Sequence, residues 1–147
     1  MKLWKKIVIG IVVLMVVGVA VLFYATSSAE KLTEYEISGD KVASVNAVLG
    51  ETRKVTGVST GTSNGVRHKQ YTYETASVLQ DLIAYSVYLR NNGWLVTKEY
   101  DLTTGGGEMG FAKESADSGK ILMMSVEFEQ GKYAIKITKG EGTLTRN

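Results

Sequence analysis

KILMMSVEFEQGKYAIKITK, residues 120–139, reads as two strands joined by a turn. Leu122, Met124, Val126 and Phe128 recur at every second position, Gln130 and Gly131 interrupt the pattern, and Tyr133, Ile135 and Ile137 resume it. Side chains of a strand alternate between two faces, so these positions form one apolar surface while the residues between them face water. A break this short permits only antiparallel pairing, since a parallel crossover needs about a dozen residues. A sheet with one apolar face must then be covered by something else in the chain.

Upstream, Glu108 to Glu114 follows the loose turn TTGGG, and Trp94 to Asp101 alternates in the same way. Before these lies the cover. From Ala76 to Asn91 the apolar residues Val78, Leu79, Leu82, Ile83 and Leu89, with Ser86 among them, are spaced three and four apart, which predicts an amphipathic helix. Ser77 with Gln80 fits a capping box, Thr75 is a second candidate cap, and Asn92-Gly93 closes the helix. Tyr85 and Tyr88 flank the stripe as core-edge aromatics. Thr52 to Ser59 and Val66 to Glu74 read as strands joined by TGTSNG, with Asn64-Gly65 as the tight turn. Lys41 to Leu49 is assigned to a strand, although Val42, Val45 and Val48 fit neither period cleanly. The expected fold is α+β: an antiparallel sheet of five to seven strands, packed on one face by one helix over about residues 76–91.

The beginning of the chain is different. Ile7 to Phe23 carries no charged or hydrogen-bonding side chain, and Tyr24 closes the run with an amphipathic ring. The 18 positions from Ile7 to Tyr24 would span about 27 Å as a helix, close to the hydrocarbon thickness of a bilayer. Trp4, Lys5, Lys6 and Tyr24 suit the two interfaces, and the basic flank places the N-terminus in the cytoplasm. The expected organisation is a basic flank at 1–6, a transmembrane signal anchor at 7–24, a short tether at 25–35 and an extracytoplasmic domain at 36–147. The competing reading is a secreted protein cut before Glu30, where Ser27 and Ala29 are small residues at the required positions. The run exceeds the usual length of a cleaved apolar region, which favours the single-pass anchor.

Charge and composition limit the chemistry. Of 17 Lys and Arg, three precede Glu30 with no acid among them, which leaves 14 basic against 15 acidic residues in the exported part. A neutral, well-mixed surface offers no footprint for nucleic acid. Cysteine and proline are absent, so thiolate sites, disulfides and polyproline arms do not arise. His68 is the sole histidine, no HExxH, GxxxxGK[ST] or DxDxDG pattern occurs, and the GxSxG spellings at 57–61 and 61–65 fall in a strand and its turn, not at a strand-to-helix elbow, so no cofactor or metal is expected. The acidic pairs Glu99 with Asp101 and Glu127 with Glu129 would suit an envelope hydrolase, yet they read first as the wet side of half-solvated strands.

What remains is contact. On the strand 66–74, Arg67, Lys69, Tyr71 and Tyr73 share a face of the kind partners dock on, unless the helix covers its tyrosines. Gly105, Gly106 and Gly107 make an adaptable loop. The expected function is a non-enzymatic accessory module that is held in the lipid bilayer by residues 7–24 and binds a protein or a small envelope component. The alternative is a structural subunit of a larger membrane assembly, packed through the helix that carries Gly10 and Gly18.

Overall fold

The computed structural model describes residues 24–145. The predicted span and basic flank therefore lie outside the described residues, apart from Tyr24, and so do Trp4, Lys5 and Lys6. Among the described residues no helix is long and apolar enough to cross a membrane. Residues 24–30 are helical and are called α1. Next come β1 (Glu34–Ile37), β2 (Asp40–Ala43), α2 (Val45–Leu49), β3 (Lys54–Ser63), β4 (Val66–Glu74), α3 (Val78–Asn91) and β5 (Leu95–Lys98). A 3-10 turn (Leu102–Thr104), β6 (Gly107–Glu114), β7 (Lys120–Glu129) and β8 (Lys132–Glu141) complete the order.

The fold is α+β. Six strands form one antiparallel sheet in the order β3-β4-β8-β7-β6-β5, while β1 and β2 pair as a separate hairpin. The β7–β8 register sets Val126 beside Ile135, Met124 beside Ile137 and Phe128 beside Tyr133, all buried on one face. One helix does not cover that face. Strands stand about 4.8 Å apart, so the sheet is roughly 24 Å wide, against about 10 Å for a helix. The β1–β2 hairpin and α2 supply the remaining cover. Tyr35 of β1 stacks on Tyr71 of β4 with ring centroids 4.6 Å apart and shares a short hydrogen bond with the Tyr73 hydroxyl.

Several local expectations are corrected. The stretch assigned to a strand at 41–49 changes type inside itself. Ser44 Oγ accepts from Ala47 N at 3.1 Å and starts α2, and Gly50, at φ 67°, ends it. The β3–β4 hairpin is longer than expected. The strand runs on through Gly61 and Thr62, and only Asn64-Gly65, at φ 51° and 77°, turns the chain. Ser77 makes no capping bond; Thr75 Oγ1 accepts from Ser77 N instead. Residues 25–35, expected as a tether, belong to the packed unit: Ala29 and Tyr35 are in the core.

The helix α3 is turned about its axis by roughly 50° from the apolar stripe, at about 100° per residue. Asp81, Leu82, Tyr85, Ser86 and Leu89 are buried, whereas Leu79, Ile83 and Val87 stand 39%, 47% and 43% exposed. Two polar contacts hold this rotation. Asp81 takes a two-pronged hydrogen bond from Arg53, Nε to Oδ2 at 2.8 Å and Nη2 to Oδ1 at 3.0 Å, and a further one from the Tyr133 hydroxyl at 3.0 Å. Tyr85 donates to Ala43 O at 2.9 Å. A carboxylate and a phenol therefore go inside because each has partners there.

Candidate functional site

The face of β4 expected to receive a partner is divided by the cover. Its register places Tyr73 beside Tyr133, Tyr71 beside Ile135, Lys69 beside Ile137 and Arg67 beside Lys139, all on the inner side of the sheet. Tyr71 and Tyr73 lie under the hairpin and helices and are buried. They are core residues and are unavailable for contact, because the cover needed by β7 and β8 extends over this half of β4. Arg67 is exposed and Lys69 partly so. Six residues of strand, about 20 Å, separate Arg67 from Tyr73.

Arg67 and Lys69 open into a cleft of about 370 Å3 between the β3–β4 hairpin and the β1–β2 hairpin. Thr60 and Thr62 of β3 stand directly opposite them, and Glu36, Ile37 and Ser38 form the far wall. Neither base forms an ion pair with a described residue. The far wall is fixed by Lys139, the neighbour of Arg67 on β8. Its Nζ donates to Ser38 O at 2.7 Å and to Asp117 Oδ2 at 2.5 Å and meets Asp40 Oδ2 at 2.7 Å. Those acids hold the Lys139 ammonium above its usual pKa, led by the Asp117 bond. Burial opposes ionisation of Asp40, but bonds from Lys139, Ser115 Oγ and Ala116 N outweigh it and keep that carboxyl below its usual value. The cleft is thus a built wall with two cations at its mouth that no described residue pairs.

The glycine loop is elsewhere. Gly107 lies in the row of Phe128, Tyr133 and Tyr73, three strands away from β4 and at the opposite end from Arg67. It is an ordered turn: Asp101 Oδ1 accepts from Thr103 N at 2.9 Å, and Thr104 Oγ1 donates to Asp101 O at 2.9 Å. Gly105 takes the left-handed conformation at φ 79°, and a Cβ on Gly107 would come within 3.3 Å of the Phe128 ring. These residues have local structural reasons to be glycine.

Among the described residues no helix covers the outer face of the sheet. A depression of about 640 Å3 lies over Gln70, Thr72, Glu108, Glu127, Glu129 and Lys132. Glu108 is bonded by Lys98 Nζ at 2.9 Å and by Ser125 Oγ at 3.0 Å. Those bonds, Lys98 first, hold its carboxyl below the usual range, the direction opposite to that of a general acid. Of the acid–base candidates, Glu127 and Glu129 line this same depression, whereas Glu99, Asp101 and His68 do not. Asp101 caps the 3-10 turn, and His68 lies on β4, four strands from β5, the strand that precedes Glu99. The imidazole of His68 rests across Gly61, where a Cβ would meet its Cε1 at 2.8 Å.

No family model, curated protein or solved structure matches this chain. The feature that the sequence did not reveal is the union of Arg67 and Lys69 with a long free strand edge, since β3 reaches Thr62 only because its hairpin turns late.

Proposed function

We propose that this protein is a non-enzymatic interaction module, anchored in the membrane by residues 7–24 with its N-terminus in the cytoplasm. On this reading its domain binds a protein or small envelope component on the extracytoplasmic side, through the cleft at Arg67 and Lys69. The observation that carries the reading is how α1 enters the domain. Ala29 is 4% exposed within the core, Glu30 Oε1 accepts from Val55 N at 2.9 Å, and Glu30 O accepts from Asn46 Nδ2 at 3.1 Å. The helix that follows the apolar run is thus clamped to the sheet without a slack linker. From Tyr24 to Ala29 is about 8 Å of helix, and a domain of this size is roughly 35 Å across, so the cleft would stay within about 45 Å of the headgroups. A cut before Glu30 would remove Ala29 from the core, which supports the anchor over a secreted form.

The test is photo-crosslinking from positions 67 and 69 in the native membrane, with the intact mass read in the same preparation. A stoichiometric crosslinked protein, together with a mass that retains residues 1–29, is the expected result. A species beginning at Glu30, or crosslinks from other surfaces but none from 67 and 69, would overturn the reading. The exposed ridge of Leu79, Ile83 and Val87 favours the second reading, a structural subunit of a larger assembly. Loss of that assembly in Ile83→Lys, with Arg67→Glu silent, is the result that would select it.

A further inference from the structure

The sheet's free side at β3 has a definite hydrogen-bonding pattern. The two-residue turn Asn64-Gly65 makes Ser63 and Val66 a hydrogen-bonded pair. Alternation then directs the N–H and C=O of Gly61, Ser59 and Gly57 toward β4, and those of Thr62, Thr60 and Val58 away from it. The register shift between Val55 and Gly57 restores the outward phase at Val55, whose N–H is the one Glu30 takes. No hydrogen bond among the described residues reaches the outward groups of Val58, Thr60 and Thr62. Ser59, Thr60 and Thr62 are exposed. From Thr56 to Ser63 the strand has no charge and no proline, the devices that usually discourage pairing at an edge.

We propose that β3 is a strand-addition site that takes an extended acidic segment of a partner protein. The segment would pair with the backbone of Val58, Thr60 and Thr62 and set its carboxylates against Arg67 and Lys69. This rests on the reading of the protein as a binding module and names the partner of the same cleft. The occupant follows from charge, since the cleft holds two bases, Arg67 and Lys69, against one acid, Glu36. An added strand places alternate side chains on the inner side next to Thr60 and Thr62, which are short, and the long bases lying opposite those threonines extend across them. Arg67 and Lys69 have no ion-pair partner among the described residues, so carboxylates arriving there complete pairs and displace none. A second copy of this chain fits less well: KVTGVSTGTS brings Lys54 and no acid, so its own β3 offers the two cations nothing. Backbone bonds supply affinity in this mode, and the side chains on one face supply selectivity.

The probe is a short synthetic peptide of alternating Val and Glu, added to the full-length protein in lipid nanodiscs and followed by fluorescence anisotropy. Its twin of Val and Lys is expected to bind at least about tenfold more weakly. Charge reversal at both bases, Arg67→Glu with Lys69→Glu, inverts that preference. The Val–Glu peptide N-methylated at its Glu residues, whose N–H groups face β3 in antiparallel pairing, leaves the protein untouched and loses binding, and so does Thr60→Pro, whose missing N–H faces away from β4. Equal binding of the methylated peptide would overturn strand addition while leaving the Arg67/Lys69 cleft as a contact. Binding of neither peptide would overturn the acidic occupant, and a dimer abolished by Thr60→Pro would assign the edge to a second copy. Native-membrane crosslinking that finds no partner at 67 and 69 sinks the module reading separately, since the peptide assay requires no natural partner.

Discussion

The six-stranded sheet ends in two edges that differ in nearly every property relevant to pairing. β5 has four residues, a register shift between Val96 and Lys98, and Lys98 itself at its end, bonded to Glu108. β3 has ten residues, a register shift confined to its root, and its sole charge at Lys54. A short, bulged, charged edge offers a stranger too few bonds in a row to offset the entropy of ordering it. Val58, Thr60 and Thr62 offer three successive outward residues next to two cations that no described residue pairs. The difference teaches that β5 is closed by its own length and charge, whereas β3, among the described residues, is closed only at Val55, by a carboxylate from α1.

The largest perturbation should erase both edges together. Burial pushes the Tyr35 and Tyr85 hydroxyls well up, raises Tyr71 and Tyr133, and moves Tyr73 up to about 12. Each native pKa lies above the unfolded value of about 10, so the folded state keeps protons that the unfolded state has released. Stability is therefore intact below pH of about 10 and falls as pH rises toward about 12. Tyrosinate absorbance from these five of the eight tyrosines should rise in one transition with the loss of far-UV circular dichroism. Absorbance from more than three tyrosines before the dichroism is lost would contradict the buried cluster.

A local break comes next. Asp81→Ala leaves Arg53 without its buried partner and the Tyr133 hydroxyl without an acceptor, and should cost about 3–5 kcal/mol in urea unfolding. Arg53 immediately precedes β3, so amide exchange should quicken in β3 and β4 before β6 and β7. Uniform loss across the sheet would show that the root of β3 is not held by this pair. Glu30→Ala is smaller, about 1–3 kcal/mol, through the stranded Val55 N–H. Glu30→Gln should recover most of that loss in thermal midpoint, because the amide oxygen still accepts. Smallest is Lys98→Val, which should leave the thermal midpoint nearly unchanged while increasing concentration-dependent light scattering. If scattering stays flat, strand length and bulge alone protect β5.

Much of the sheet was legible because its causes are local. Alternation at 122–128 and 133–137 needs no partner to be recognised, and Asn64-Gly65 announces its own positive φ values. The rotation of α3 was not legible. Counting apolar residues favours Leu79 and Ile83, and nothing adjacent to Asp81 in sequence predicts that Arg53 and Tyr133 converge on it. The valines at 42, 45 and 48 fitted no period because Ser44 divides a strand from a helix. Arg67 and Lys69 were visible as a polar pair with two tyrosines; which half of that face is roofed depends on a hairpin 30 residues earlier in the chain.

The sequence by itself determined the apolar N-terminal run, the α+β class and the antiparallel strands with their inner residues. All of these follow from period, composition and turn chemistry, which act over a few residues. Only the tertiary structure decided that α1 is clamped to the sheet, that Tyr71 and Tyr73 are core, and that Arg67 and Lys69 stand beside a free edge. Those outcomes depend on how much of a sheet about 24 Å wide a hairpin and short helices can cover, and on which polar groups find partners once buried. Coverage and partnership are relations between distant segments, so no single stretch of the chain contains them.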